Sequence, residues 1–269
     1  MIPYLSFGFA QIPTYFLVIS LSLSGLLVLL SSRVDAQKFD RKLAYNIALI
    51  VMISGFLGGR LFHIFYEEFA YYKADPVLSL YFWNGGFVYL GGLLLAWPVT
   101  WIYCQIKKIS FLAWADFYAP LLSLAHALGR VGCVLSGCCF GQYCELPWGI
   151  AGRHPTAIYL TLGEFVIFFV LIMLEKRQLN LKAKLVEGDQ KNVVAEVQLQ
   201  FPGQVFFKWI FLHSLLRYTV EFYRDDFRGS FFRLPFLGSL SVSQIICFGL
   251  MLLSIFYFIT CYFKIKSQN

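Results

Sequence analysis

Seven apolar runs, each close to the length that crosses a lipid bilayer, leave this chain few ways to fold. A helix spanning the hydrocarbon core takes about 20 mainly apolar residues, and in lipid the backbone must satisfy its own hydrogen bonds. The runs cover residues 12–30, 43–66, 86–104, 111–135, 156–174, 206–220 and 237–263. The sixth is the least clean, since Lys208, His213 and Arg217 lie within it. The fourth reads as a span or as a partly re-entrant element. Only 14% of residues are charged and 59% are hydrophobic, against about a quarter charged in a soluble domain. The pattern predicts an all-α, multi-pass helical bundle of about seven transmembrane helices. The whole of 1–269 reads as a single transmembrane domain with a polar loop at about 176–204. Within that loop, 193–199 alternate polar and apolar like a short strand, so a β-hairpin or loose loop is expected. No cleavable signal peptide is expected, because the first dozen residues lack a basic region and no small-residue cleavage site follows.

The net charge of +7 matters through its placement. Lysine and arginine gather after the first run (Arg33, Lys38, Arg41, Lys42), the third (Lys107, Lys108) and the fifth (Lys176, Arg177, Lys182, Lys184, Lys191), and at Lys264 and Lys266. Basic loops stay on the cytoplasmic side, so the N-terminus is expected outside, in the periplasm, and the C-terminus in the cytoplasm. No basic stripe interleaved with aromatics marks a nucleic-acid surface, and no nucleic-acid partner is expected.

The chemistry concentrates in Leu128-Gly-Arg-Val-Gly-Cys-Val-Leu-Ser-Gly-Cys-Cys-Phe-Gly141. An arginine closing a membrane-length run is costly and points to a site, although a snorkelling arginine among packing glycines has the same pattern. Of seven cysteines, Cys104, Cys247 and Cys261 sit in apolar runs and read as inert core. Cys133, Cys138, Cys139 and Cys144 cluster, and a disulfide among them is possible if the loop faces an oxidising compartment. The cysteines lack a closed metal-ligand spacing with histidine, so neither a metal nor an organic cofactor is expected. Arg217 and Glu221 stand at i and i+4 and can pair, with Arg224 a further turn on. Such a pair is either a structural bridge or part of a site. Arg60 and His63 share a helical face inside the second run, which suggests a polar cavity there. Asp116 reads as an acid at the start of the fourth helix, and Glu164, inside the fifth, should be paired or protonated.

The order of these elements resembles the prolipoprotein diacylglyceryl transferases of bacterial inner membranes. The stretch 129–141, G-R-x-G-C-x-x-x-G-C-C-x-G, is similar to a cysteine-containing form of their signature. Further matches are Tyr15 in the first helix, Gly-x-Arg at 58–60, paired glycines flanking Tyr89, His154-Pro155 with Tyr159, Arg217-x-x-x-Glu221-x-x-Arg224, and Ser243-Gln244. Cys133, Cys138 and Leu90 stand where the usual member carries asparagine, glutamate and histidine. Ala157 and Leu160 replace two more of its polar residues.

The resemblance implies a multi-pass inner-membrane enzyme of lipoprotein maturation. It would move a diacylglyceryl group from phosphatidylglycerol to the lipobox cysteine of a prolipoprotein signal peptide, releasing glycerol phosphate, and so would meet membrane lipids and prolipoproteins as partners. In that reading Arg130, Arg217, Glu221 and Tyr15 are catalytic. Arg130 and Arg217 neutralise the leaving phosphate, and Glu221 orients Arg217 or takes a proton. Arg60, Tyr89, Gly141, His154 and Arg224 bind substrate, Gly141 by letting the backbone approach the lipid. Two alternatives come from other classes: a membrane thiol-redox protein using the cysteines, and a transporter that binds an anionic solute through its arginines.

Overall fold

The structure is a computed structural model that describes residues 4–7, 10–82, 85–186, 201–225, 232–234 and 238–266. Seven helices of 18 or more residues carry the described chain, and they coincide with the seven apolar runs. They are α1 (Thr14–Gln37), α2 (Arg41–Phe62), α4 (Tyr89–Ile106), α5 (Phe111–Ser136), α6 (Thr156–Val186), α7 (Gln204–Glu221) and α8 (Val242–Lys266), with the short α3 (Phe69–Ala74) between α2 and α4. Five are long and apolar enough to cross a membrane: α1, α2 with the π-helical turn His63–Glu67 that continues it, α5, α6 and α8. α4 and α7 are the short ones at 18 residues each. Many large apolar side chains point outward from these helices, Val28, Leu94, Met173 and Phe256 among them. In water such a surface would aggregate; in lipid it is solvated.

Two boundaries differ from the sequence reading. The fourth run is one continuous helix, α5, rather than a re-entrant element, and Pro120 sits within it. The fifth helix continues to Val186, so 176–186 are helical where the polar loop was expected to begin. Lysines there keep the high helix propensity of their straight side chains. The rest of the expected hairpin, 187–200, lies outside the described residues.

The chain packs as two compact units. One comprises Val28–Phe111. Here α2 lies against α4, and the glycines of both helices allow the approach. A methyl group at Gly58 would meet the Gly91 carbonyl and lie 2.7 Å from Leu95 Cβ, and one at Gly91 would run into Phe62. Helices in lipid associate largely through such close packing of small residues.

The other unit comprises Met1–Leu27 and Leu112–Asn269. In it α7 packs against both α6 and α8. A hairpin, β1 (Tyr4–Phe7) with β2 (Ala10–Pro13), leads into α1, and β3 (Phe232–Leu234) pairs antiparallel with β4 (Gly238–Leu240) before α8. Asp116 does not serve its own helix. Its carboxylate accepts from the Gly203 and Phe206 amides at 2.6 and 2.8 Å, so α5 caps the N-terminus of α7. Ser241 and Gln244 cap α8 reciprocally: the Gln244 amide donates to Ser241 Oγ, and the Ser241 amide to Gln244 Oε1.

Candidate functional site

The signature stretch is built by the last two turns of α5 and the loop that follows. α5 ends in a turn at Gly137, and Cys139 takes a left-handed φ of 63°. That conformation is uncommon outside glycine. It folds the loop back over the helix end. The Cys138 and Cys139 sulfurs lie 3.5 Å apart, and the Cys138 sulfur is 3.6 Å from the Cys133 carbonyl and from Ser136 Oγ. The three sulfurs of Cys133, Cys138 and Cys139 all lie within 4.8 Å of one another. Cys133, Cys138, Cys139 and Cys144, among which a disulfide was possible, are free thiols in this structure. Three of them form one cluster and Cys144 stands outside it. The Cys139 thiol pKa is pulled far below its ordinary value. Hydrogen bonding with the Cys133 and Cys138 sulfurs is the main cause, and the Arg130 and Arg224 charges add to it.

Arg224 reaches this place from the end of α7, through a short antiparallel bridge to Gly141. The Gly141 amide donates to the His154 carbonyl at 2.8 Å and the Gln142 amide to the Tyr223 carbonyl at 2.8 Å. The loop after the signature is thereby tied to the start of α6 and the end of α7. At Gly141 a side chain would strike the Tyr223 carbonyl, Thr156 at 2.8 Å and His154 at 2.9 Å, so the missing Cβ makes room for neighbouring protein atoms. Tyr15, on the first turn of α1, lies within electrostatic range of Arg130 and the three thiols. His154 Nδ1 shares a hydrogen bond of 3.2 Å with the Tyr159 hydroxyl, which also accepts from Trp148 Nε1 at 3.0 Å.

Arg217 and Glu221 form the expected i,i+4 ion pair, at 2.8 Å, with both side chains at least nine-tenths buried. The Ser241 hydroxyl donates to Glu221 Oε1 at 3.1 Å, which fixes the carboxylate from α8. Charge-assisted contacts of this kind hold a guanidinium in one orientation.

A further network, not foreseen beyond the need to pair Glu164, lies between α5, α6 and α7. Glu164 is completely buried and accepts from Ser123 Oγ at 2.7 Å. His126 Nδ1 stands 3.1 Å from Glu164 Oε1, and His213 Nδ1 approaches the same oxygen. On its other side, His126 Nε2 accepts from Arg130 Nε at 3.3 Å. That bond places the His126 proton on Nδ1, where it is donated to Glu164. A line of bonds thus runs Glu164–His126–Arg130, and α7 contributes His213 one turn before Arg217. The spacing that could have exposed it in the sequence is His126 with Arg130, at i and i+4 on one face.

Among the described residues, two side-chain groups could hold a metal ion: Cys133, Cys138 and Cys139, and His126, Glu164 and His213. The second is ill suited, because a metal on His126 Nδ1 would move the ring proton to Nε2 and set it against the Arg130 Nε–H.

Arg60 and Tyr89 belong to the Val28–Phe111 unit. Arg60, expected to bind substrate, is engaged by the backbone of its own unit. Its Nε donates to the Ser79 carbonyl at 3.3 Å, Nη1 to Gly85 at 2.6 Å and Gly86 at 3.3 Å, and Nη2 to Leu78 at 3.1 Å, Ser79 at 3.2 Å and Tyr81 at 3.3 Å. The guanidinium is further sandwiched near the Tyr72 and Phe87 rings. Its donors are thus turned onto backbone carbonyls, and the arginine holds a loop in shape. Gly86, at φ 78°, is part of that loop and leaves room for the His63 ring. Tyr89 opens α4 and is half-exposed.

Long apolar helices that enclose buried guanidinium groups, a paired glutamate and a thiol cluster define a multi-pass helical membrane protein with a polar centre. The comparisons with known proteins narrow that class. The family model for "Prolipoprotein diacylglyceryl transferase" matches residues 3–260. A Clostridium tetani protein is 26% identical over 255 residues, 91% of each chain. A Nitratidesulfovibrio vulgaris protein is 28% identical over 83% of this chain and 78% of its own, and a Geobacter sulfurreducens protein is 28% identical over 78% and 75%. All three carry the name phosphatidylglycerol–prolipoprotein diacylglyceryl transferase. The chain belongs to the prolipoprotein diacylglyceryl transferase family.

Proposed function

We infer that this protein matures lipoproteins: it transfers the diacylglyceryl group of phosphatidylglycerol to the lipobox cysteine of prolipoproteins at the bacterial inner membrane. The observation that carries the reading is the match of nearly the whole helical chain to the family, joined by relatives of that name that align over most of their length. The site chemistry agrees with it. Phosphatidylglycerol is an anionic diester, and arginine binds phosphate bidentately while keeping its charge.

In the reaction the substrate thiolate attacks the glyceryl carbon that bears the phosphate ester. The S–C bond forms as the C–O bond breaks, and the electron pair departs with glycerol phosphate. Arg130 and Arg217 neutralise the growing charge on that leaving group, which is where fixed cations lower a barrier. Glu221 orients Arg217 and His126 orients Arg130. Arg224, Tyr15 and His154 contact the head group, and Tyr89, in the other unit, is a further substrate-binding residue in this reading. The N-terminus and the thiol cluster face the periplasm, where prolipoproteins present their lipobox.

The test is an in vitro transfer assay with purified protein, phosphatidylglycerol and a lipobox peptide, read by mass spectrometry. A diacylglyceryl adduct on the peptide thiol is expected. A folded protein that forms no adduct beside an active relative removes the reading.

A further inference from the structure

The reaction inferred above consumes a thiolate, and Glu221, Glu164 and His154 are each engaged by a partner. Glu221 pairs with Arg217 and accepts from Ser241. Glu164 is closed within Ser123, His126 and His213. His154 Nδ1 is bonded to Tyr159. What stands at the signature instead is the cluster of three free thiols. We propose that Cys133, Cys138 and Cys139 bind a zinc ion whose fourth position takes the thiol of the substrate cysteine, so that the metal activates the nucleophile.

Three observations carry it. First, the donor set is a soft one converging from two directions, a helix end (Cys133) and the loop that folds back over it (Cys138, Cys139). Thiolates around a tetrahedral zinc sit about 2.3 Å from the metal, hence about 3.8 Å from one another. The sulfurs here are mutually within 4.8 Å, with one pair at 3.5 Å, so a small inward movement of side chains closes the set. Second, three ligands rather than four match a zinc site that keeps a position for substrate. Burial is graded from Cys133, buried, through Cys139 to Cys138, exposed, so the open side faces outward. Ser136 Oγ, 3.6 Å from the Cys138 sulfur, supplies a hydrogen bond that would orient that ligand. Third, the charges fit. A dication with three thiolates carries one negative charge and with a fourth carries two, and Arg130 and Arg224 lie within electrostatic range of Cys139.

The step balances without a redox partner. The substrate thiol loses its proton to solvent on coordination, since a metal-bound thiol is deprotonated outright. The bound thiolate sulfur attacks the glyceryl carbon, and the C–O electron pair leaves with glycerol phosphate. The product is a neutral thioether, a much weaker zinc ligand than the thiolate it replaces, so the lipidated peptide departs and the position reopens.

The proposal rests on the transferase reading, and its test separates the two. The purified full chain in detergent is stripped with a chelator and titrated with Co2+ as a spectroscopic stand-in. One ion per chain with a thiolate-to-cobalt charge-transfer absorption is expected. Cys139→Ser should weaken that absorption, while Cys144→Ser should leave it unchanged. A lipobox peptide should shift the cobalt visible bands, and the same peptide with serine for cysteine should not. Stripping should lower transfer on the order of a hundredfold, the scale of losing a general base, with recovery on adding Zn2+. An absent charge-transfer band, a band indifferent to the peptide thiol, or full transfer by the stripped protein overturns the proposal. If neither form transfers while an active relative does, the transferase reading fails, and the cobalt spectra still decide the metal site on their own.

Discussion

At the scale of single residues, burial and pairing separate the arginines that look alike in the sequence. Arg60 spends its donors on six bonds to backbone carbonyls, whereas Arg130 and Arg217 are each held by a side-chain partner, His126 and Glu221. Arg217→Ala should therefore cut transfer by about 10²–10³-fold, the scale of losing one fixed charge at a developing anion, and Arg217→Lys should restore only part of it. Steady-state transfer with each variant checks this; near-normal turnover by the alanine variant excludes Arg217. Glu164→Gln tests the line from Glu164 through His126 to Arg130. It keeps volume and removes the charge that fixes the His126 proton on Nδ1. The expected result is a kcat lower by roughly ten- to a hundredfold with little change in KM for the lipid. A change confined to thermal stability would make the network a packing feature only. Glu164→Ala, which also strands two histidines in the bundle, should cost about 3–5 kcal/mol, read from the unfolding transition in detergent.

Elements meet through a few contacts that their own sequences do not announce. The first turn of α7 is capped by Asp116 of α5, so Asp116→Ala should destabilise the protein by about 0.5–2 kcal/mol and loosen the N-terminus of α7. Hydrogen exchange at the Gly203 and Phe206 amides should rise in that variant; unchanged protection would show that another group has taken over the cap. The crossing of α2 and α4 depends on missing side chains, and Gly91→Ala puts a methyl group against Phe62. Overpacking of this kind costs about 1–3 kcal/mol, and a thermal shift of the purified protein measures it. The capping box Ser241–Gln244 lets one serine both start α8 and steady Glu221, so helix initiation and site geometry share a residue.

For the molecule as a whole, the placement of positive charge sets the orientation argument. Arg33 to Lys42, Lys107 and Lys108, Lys176 and Arg177, and Lys264 and Lys266 all follow odd-numbered runs. With seven crossings this placement leads us to propose a cytoplasmic C-terminus. A fluorescent protein joined after the last residue should glow, and a secreted phosphatase joined there should be inactive; the reverse pair of results overturns the topology. α4 and α7, the short helices, are also those that open beside glycine-rich or polar turns, and α7 carries Lys208, His213, Arg217 and Glu221 through its length. Its polar side chains are tolerated because they are turned onto α5, α6 and α8 rather than into lipid.

Hydrophobic run length and charge placement are local properties, and by themselves they determined the helical membrane class, the seven helices and most of their limits. The order of glycine, arginine and cysteine along 129–141 likewise pointed to the family without coordinates. What needed the tertiary structure was every matter of partnership. Spacing along the chain showed no metal-ligand pattern of cysteine with histidine; that the sulfurs of Cys133, Cys138 and Cys139 lie together follows only from the backward fold of the turn after α5. The different fates of Arg60 and Arg130, and the cap that Asp116 lends to another helix, depend on residues many positions away. A buried charge in a bundle is stabilised by whatever groups happen to face it, and which groups face it is decided by helix packing, not by the neighbours it has in sequence.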